Sequence, residues 1–345
     1  MIPADHPQIP ERKTGLLLVN LGTPASLELS DIRRYLAEFL SDRRVIDYPA
    51  WFWQPILRGI ILNVRPKKTR AAYEAIWHEE TNESPLRYYT RQQAELLAER
   101  LQDLAGLEVD WAMNYGEPAI SERLNALLDK GCRQLLVLPL YPQYSATTTA
   151  SVFDRLAKAM ASLAWQPAIR TLDTWHDDPA YIDNTVDHLQ QALASLSFKP
   201  DTLLLSFHGL PERYLQQGDP YHCFCQKSGR LIGEGLKARG FDQLDVKVTF
   251  QSRFGPEKWL EPYTDVTLEQ LPAEGKKSVA VFSPGFVADC VETLEELGIQ
   301  GHESFAAAGG ENYATLPCLN DSKPAIDMLE TLVRRELKGW SSAKD

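Results

Sequence analysis

The stretch Thr202-Leu203-Leu204-Leu205-Ser206-Phe207-His208-Gly209-Leu210-Pro211 decides the fold. A short apolar run, too brief for a helix, ends in a histidine and then in the turn residues Gly and Pro. That pattern predicts a strand buried on both faces. The same form recurs along the chain. Leu16 to Val19 leads into Asn20-Leu21-Gly22-Thr23-Pro24, Gln134 to Val137 into Pro139-Leu140-Tyr141-Pro142-Gln143-Tyr144, and Val246 to Phe250 into Gln251-Ser252-Arg253. Val279 to Phe282 leads into Ser283-Pro284-Gly285. Between these runs lie helix-length patterns at 92–105, 120–129, 181–195 and 226–239. Strand and helix in alternation predict an α/β protein with parallel sheets covered on both faces.

In such sheets ligands sit beyond the carboxyl ends of the strands, so His208 is either a turn-capping imidazole or a side chain delivered to a site. A second exit, Ser283-Pro284-Gly285-Phe286-Val287-Ala288-Asp289-Cys290-Val291-Glu292-Thr293-Leu294-Glu295-Glu296-Leu297, opens a helix. On an α-helix Asp289, Glu292 and Glu296 would line one face, where like charges repel by about 0.2–0.5 kcal/mol per pair. One account is a capping box, Asp289 to Glu292, favoured by the helix dipole. The other is a carboxylate track that escorts a cation or relays protons. Beside an imidazole it would make a proton-accepting pair or an N/O metal site.

The 345 residues exceed what one core usually organises, which predicts two domains. A net charge of -11 argues against a nucleic-acid partner and leaves room for a cationic ligand. Five cysteines, odd in number and scattered, suit a reducing cytoplasm better than a disulfide framework. The pair Cys223 and Cys225 is too close for a structural zinc site. The opening MIPADHPQIPERK reads as a polar arm without the features of a signal peptide, and no apolar run is long enough to span a membrane. Dinucleotide, P-loop and zinc-protease motifs are absent. Residues 51–64 are strongly apolar and are followed by Arg65, Lys67, Lys68 and Arg70. They read as a core segment with a solvated end, or as a lip that touches a membrane or covers a greasy ligand. The segment 323–338 predicts an amphipathic helix, with Ile326, Leu329, Leu332, Val333 and Leu337 on one side, that docks back on the first domain.

Taken together, "NLGTP" (20–24), "YPQYSATTT" (141–149), "SFHGLPERYLQQGDPY" (206–221), "FQSRFGPEKWLEP" (250–262) and "SPGFVADCVETLEEL" (283–297) resemble the ferrochelatases. The likeness covers nearly the whole chain, with the motifs in the same order. It implies two flavodoxin-like (Rossmann-type) domains with parallel sheets, the chelatase fold, holding a porphyrin in the cleft between them. The expected division is 14–150 with a returning 322–345, and 151–321. It implies insertion of ferrous iron into protoporphyrin IX, with iron as a substrate and no tightly bound cofactor. His208 and Glu292 would be the catalytic and metal-binding pair, with Glu296 and Asp289 as a proton or metal relay. Tyr115, Tyr144, Leu21 and Arg65 would meet the porphyrin, Arg65 through a propionate.

This sequence departs from the pattern in places. Leu21 stands where the coproporphyrin-using branch tends to have tyrosine, which favours protoporphyrin. Asn114 stands where some relatives have a basic residue, and Cys290 where other branches have histidine. Ala146 and the lack of a cysteine cluster after Cys318 imply no iron–sulfur cluster. The expected location is the cytoplasm, with peripheral contact at the inner membrane face through 51–64. The alternatives are a cobalt or nickel chelatase for a related tetrapyrrole, and a carrier that binds tetrapyrrole or metal without catalysis.

Overall fold

The computed structural model describes residues 12–340, so most of the polar N-terminal arm lies outside the described residues. Among the described residues, eight strands form two parallel sheets. The first contains β1 (Lys13–Gly22), β2 (Leu107–Tyr115), β3 (Cys132–Pro139) and β4 (Ala168–Thr171), in the order β2-β1-β3-β4. The second contains β5 (Thr202–His208), β6 (Asp245–Gln251), β7 (Ser278–Phe282) and β8 (Asn312–Thr315), in the order β6-β5-β7-β8. The two orders are the same, although the residues show no repeat. The first sheet extends past residue 150, because β4 pairs with β3 from Gln134 opposite Ala168 to Val137 opposite Thr171.

The long apolar runs became the central strands for the reason the pattern suggests. Leu16 to Val19 and Leu203 to Leu205 have no exposed surface, since helices cover both faces. Each buried leucine contributes roughly 1.5–3 kcal/mol relative to an exposed one. One continuous core joins the halves. It includes Leu16, Leu18 and Leu136 from the first sheet and Leu203, Leu205 and Phe207 from the second.

The helix Lys323–Glu336 begins at Ser322, whose hydroxyl accepts from the Ala325 N–H, and it buries Ile326, Leu329, Leu332 and Val333. It packs against the helices Pro85–Arg100 and Pro179–Ala194, with Arg100 paired to Asp327 at 2.7 Å. The helix expected at 92–105 starts earlier, because Ser84 caps it and Pro85 occupies its first turn. Cys223 and Cys225 fall in the helix Tyr221–Ala238, one exposed and one buried, and all five cysteines are free thiols.

In each sheet the first strand lies at the reversal of strand order, with its successor on one side and the third strand on the other. Those reversals are where open α/β sheets leave a crevice. The ends of β1 and β5 are Leu21-Gly22 and His208.

Candidate active site

Two glycines set the exits of the central strands. A β-carbon on Gly22 would lie 1.8 Å from the Tyr115 carbonyl oxygen, and its φ is +116°. At Gly209 a β-carbon would approach the Gln251 carbonyl oxygen to 2.8 Å, while the Gly209 N–H donates to that same oxygen. The chain after His208 is thereby held against the end of β6. His208 is half-buried, and its Nδ1 lies 2.7 Å from the Gly209 carbonyl oxygen. A carbonyl can only accept, so Nδ1 carries the proton and Nε2 keeps its lone pair for a proton or a metal.

Gln251 is the residue that sequence reasoning passed over. It sits opposite His208 in the β5–β6 register. Its Oε1 accepts from Ser206 at 2.6 Å, and its Nε2 donates to the Glu292 carbonyl oxygen at 2.9 Å and reaches the Glu296 carboxylate at 3.5 Å. Ser206, two residues before His208 and therefore on the same face of the strand, serves as the anchor of this bridge. The next residue, Ser252, adopts φ +65°, an uncommon conformation for a side-chain-bearing residue. That turn aims its N–H at Glu296 Oε1, 2.7 Å away, and its hydroxyl at Oε2.

Glu292 and Glu296 lie on the helix after β7, which runs with π geometry over Glu292–Gly301. π-turns are rare and concentrate at functional sites. Burial raises the Glu296 carboxyl above its ordinary range. The Ser252 hydroxyl and then His208 pull it down, and Glu292 pushes it up. Glu296 therefore feels both His208 and Glu292. His208 and Glu292 emerge from β5 and from beyond β7, which are adjacent strands of one half, and do not come from opposite halves. The first half supplies the wall opposite Glu292. Leu21, Gly22, Tyr35, Tyr73 and Leu86 line a cavity that Cys290 and Glu292 complete.

Asp289 is elsewhere. The helix begins after it, so the expected shared face and the capping box do not form; the cap position is Val291, with no side-chain bond. The Asp289 carboxyl is buried and accepts from Thr293, from the Cys318 N–H and, at 2.6 Å, from Asn320. Cys290 does line the cavity. Burial, and then the charge of Glu292, hold its thiol well above the ordinary range, so it stays protonated.

The porphyrin-contact residues divide. Leu21 borders the cavity. Tyr115 has no exposed surface, and its hydroxyl donates to Asp42 at 2.8 Å beneath the guanidinium of Arg155. It is a core residue and offers no face to a macrocycle. Asn114 is likewise buried and donates to Ser151. Tyr144 is half-buried beyond β3, close enough to Arg44 for charge to be felt. Arg65 is exposed on the helix Leu62–Glu74. Tyr35 and Tyr73 were not singled out from sequence. Both are buried, their hydroxyls are raised by burial and by Glu292, and both border the cavity. Their only signal was apolar-face spacing in the first half, which reads as core. Among the described residues no three His, Cys, Asp or Glu side chains are arranged to hold a metal ion.

Residues 13–337 match the ferrochelatase family model. The chain belongs to the ferrochelatase family. A ferrochelatase of Rhizobium etli (strain CIAT 652) is 55% identical over 338 residues, covering 98% of this chain and 97% of the relative. One from Agrobacterium fabrum is 52% identical over 339 residues and covers 98% of each. Among solved structures, SirB from Bacillus subtilis with Fe3+ superposes with a TM-score of 0.56, over 94% of this chain and 95% of SirB. At 10% identity that likeness concerns the fold alone. The ferrochelatase family thus supplies the chelatase fold expected from sequence.

Proposed function

We propose that this chain inserts ferrous iron into protoporphyrin IX to form protohaem, with His208 and Glu292 as the reacting pair. The observation that carries the assignment of residues is the convergence of His208, Glu292 and Glu296 at the strand-order reversal of the second sheet, held by Gln251.

The chemistry is an exchange. A dication enters the macrocycle and the two pyrrole N–H protons leave, so the metallated ring is neutral at its centre. An acceptor for protons must face the ring, and an anionic escort must offset the arriving charge. His208 Nε2, the nitrogen that accepts in the neutral imidazole because Nδ1 holds the proton against the Gly209 carbonyl, supplies the first. Glu292 supplies the second, either as proton relay or as metal ligand. Glu296 sits behind it, with a raised proton affinity that lets it take up a proton passed from the pair. Asp289 does not take part in this relay; it holds the start of the helix. Leu21 and Tyr144 would border the macrocycle, and Tyr115, fully buried in the first half, would not.

The lip is proposed as a peripheral membrane contact. Trp51 is 80% exposed, Val64 71% and Ile60 61%, and Arg58, Arg65, Lys67 and Lys68 lie exposed along the same segment. Such a surface suits an interfacial position on anionic lipid. No described helix is long and apolar enough to cross a membrane. Arg65 remains the proposed partner of a propionate.

Anaerobic mixing of the protein with ferrous iron and protoporphyrin tests the function. The free-base absorbance bands should collapse over many turnovers. Stoichiometric binding without turnover would favour a carrier, and turnover with cobalt alone would favour the other chelatase.

A further inference from the structure

The helix Pro85–Arg100 is bonded to the backbone behind both walls of the cavity. Its first residues, Pro85 and Leu86, line the cavity, and Leu86 packs with Ala288 and Cys290 of the second half. Leu86, Thr90, Gln93 and Leu97 follow the three-and-four spacing of one helix face, and all are buried. Thr90 and Gln93 are polar, so on that face each needs a partner. Their partners lie in different halves.

Thr90 holds the first half. Its Oγ1 accepts from the Asn20 amide at 3.0 Å and donates to the Leu86 carbonyl oxygen at 2.7 Å. Asn20 Oδ1 in turn accepts from the N–H of Leu21, which borders the cavity, at 2.9 Å. Gln93 holds the second half. Its Nε2 donates to the carbonyl oxygens of Val287 and Asn320 at 3.1 and 2.7 Å. Those residues are themselves joined, since the Asn320 N–H donates to the Val287 carbonyl at 2.9 Å, and the Asn320 side chain fixes Asp289. From Asp289 the chain runs into Cys290 and Glu292.

We propose that Thr90 and Gln93 are positioning residues that set the spacing between the Leu21 wall and the Glu292 wall, and so the distance at which Glu292 meets the centre of a bound macrocycle. The assignment rests on the chelatase function. A carboxylate that must reach the middle of a flat ring works at one separation from the wall behind that ring, and a misplacement of about 1 Å costs up to about 100-fold in rate. The two anchors lie less than one turn apart on a rigid helix, so they cannot drift independently.

Gln93→Met removes the donors at similar volume, and Thr90→Val removes the acceptor at the other anchor. Both are read in a Cys223→Ser parent, which lacks the exposed thiol. In ligand-free protein, iodoacetamide should alkylate Cys290, assigned by peptide mapping, about tenfold faster in either variant than in the parent. In anaerobic kinetics kcat should fall about tenfold while KM for protoporphyrin changes by less than about twofold, the pattern of a misplaced reacting group. A residue that only stabilised the fold would leave both readings at the parent's values in folded protein. Parental alkylation or parental kcat in either folded variant would overturn the spacing role, and if one variant does not fold the other decides. Absence of turnover in the parent itself would instead strike the chelatase function, and the alkylation rates would still decide the spacing.

Discussion

Asp289 separates a structural carboxylate from a reacting one, and its removal can be worked through from its contacts. Three donors reach it. Thr293 would not be stranded by its loss, because the hydroxyl also lies 3.2 Å from the Cys290 carbonyl oxygen. The Asn320 amide at 2.6 Å and the Cys318 N–H at 3.3 Å would lose their acceptor within the protein. Each stranded buried donor costs about 1–3 kcal/mol, with the longer bond at the low end, so Asp289→Ala should lose about 2–4 kcal/mol. Asp289→Asn escapes only in part: whichever way its amide turns, its NH2 faces either the Asn320 amide or the Cys318 N–H. Asn320 cannot turn to relieve this, because its Oδ1 already accepts from the Asp289 N–H at 2.8 Å. Denaturant titration of both variants reads the loss directly. Stability within about 0.5 kcal/mol of wild type, together with abolished chelation, would refute the structural role and return Asp289 to the proton path.

Four further outcomes are expected. His208→Ala should abolish turnover while porphyrin quenching of protein fluorescence persists; unfolding of that variant would instead mark a turn-capping role. Glu292→Gln should keep the fold and lose the rate, as measured by anaerobic kinetics, and near-normal rates would make the residue structural. Glu296 has a raised folded-state proton affinity, so its ionisation opposes folding: its stabilising protonated form is fully present below the ordinary carboxylate range and is lost as pH rises above it. Glu296→Gln, which keeps an acceptor for the Ser252 N–H, should therefore gain stability relative to wild type as pH rises from the acid range towards neutrality. A gap between the two unfolding curves that is constant with pH would exclude this. Lip binding to anionic vesicles should appear as flotation that Trp51→Ala weakens; recovery in the soluble fraction alone would count against membrane contact.

The parts of the fold legible from sequence were those with burial on both faces. β1, β3, β5 and β7 declare themselves because a parallel strand between helices needs apolar side chains throughout, while the edge strand β6 shows itself by the apolar residues Val246, Val248 and Phe250. β4 and β8 do not. Ala168-Ile169-Arg170-Thr171 and Asn312-Tyr313-Ala314-Thr315 are edge strands of four residues, partly exposed, and their sequences are compatible with a loop. The site follows the same logic. His208 and Glu292 stand out because each follows a legible strand. Gln251 does not, because its function comes from lying opposite His208, and register is a property of the assembled sheet. Tyr115 misled for a related reason. The resemblance placed it at the porphyrin, but the helix Leu29–Leu40 covers it, with Phe39 packed edge-on at 5.1 Å. The acidic spacing 289, 292, 296 misled because three-and-four periodicity assumes an α-helix that already includes its first member.

The matched topology of the halves gives the proposed one-sided chemistry a structural frame. β1 and β5 occupy equivalent places, and their exits follow one plan: Leu21-Gly22-Thr23-Pro24 and His208-Gly209-Leu210-Pro211. In both, the glycine is where a side chain would strike the neighbouring strand, so the preceding residue is the last one the sheet can aim. One half spends that position on an imidazole and the other on an isobutyl group. The isobutyl group borders the cavity that holds Glu292. An apolar side chain there offers no hydrogen bond and no charge to compete for an incoming cation. It also lowers the local polarity, which strengthens the interaction between the imidazole and its carboxylates. On the proposed function, a second polar group at Leu21 would add another place for the cation to stop, so the apolar side chain at the first half's aimed position is what that reading expects.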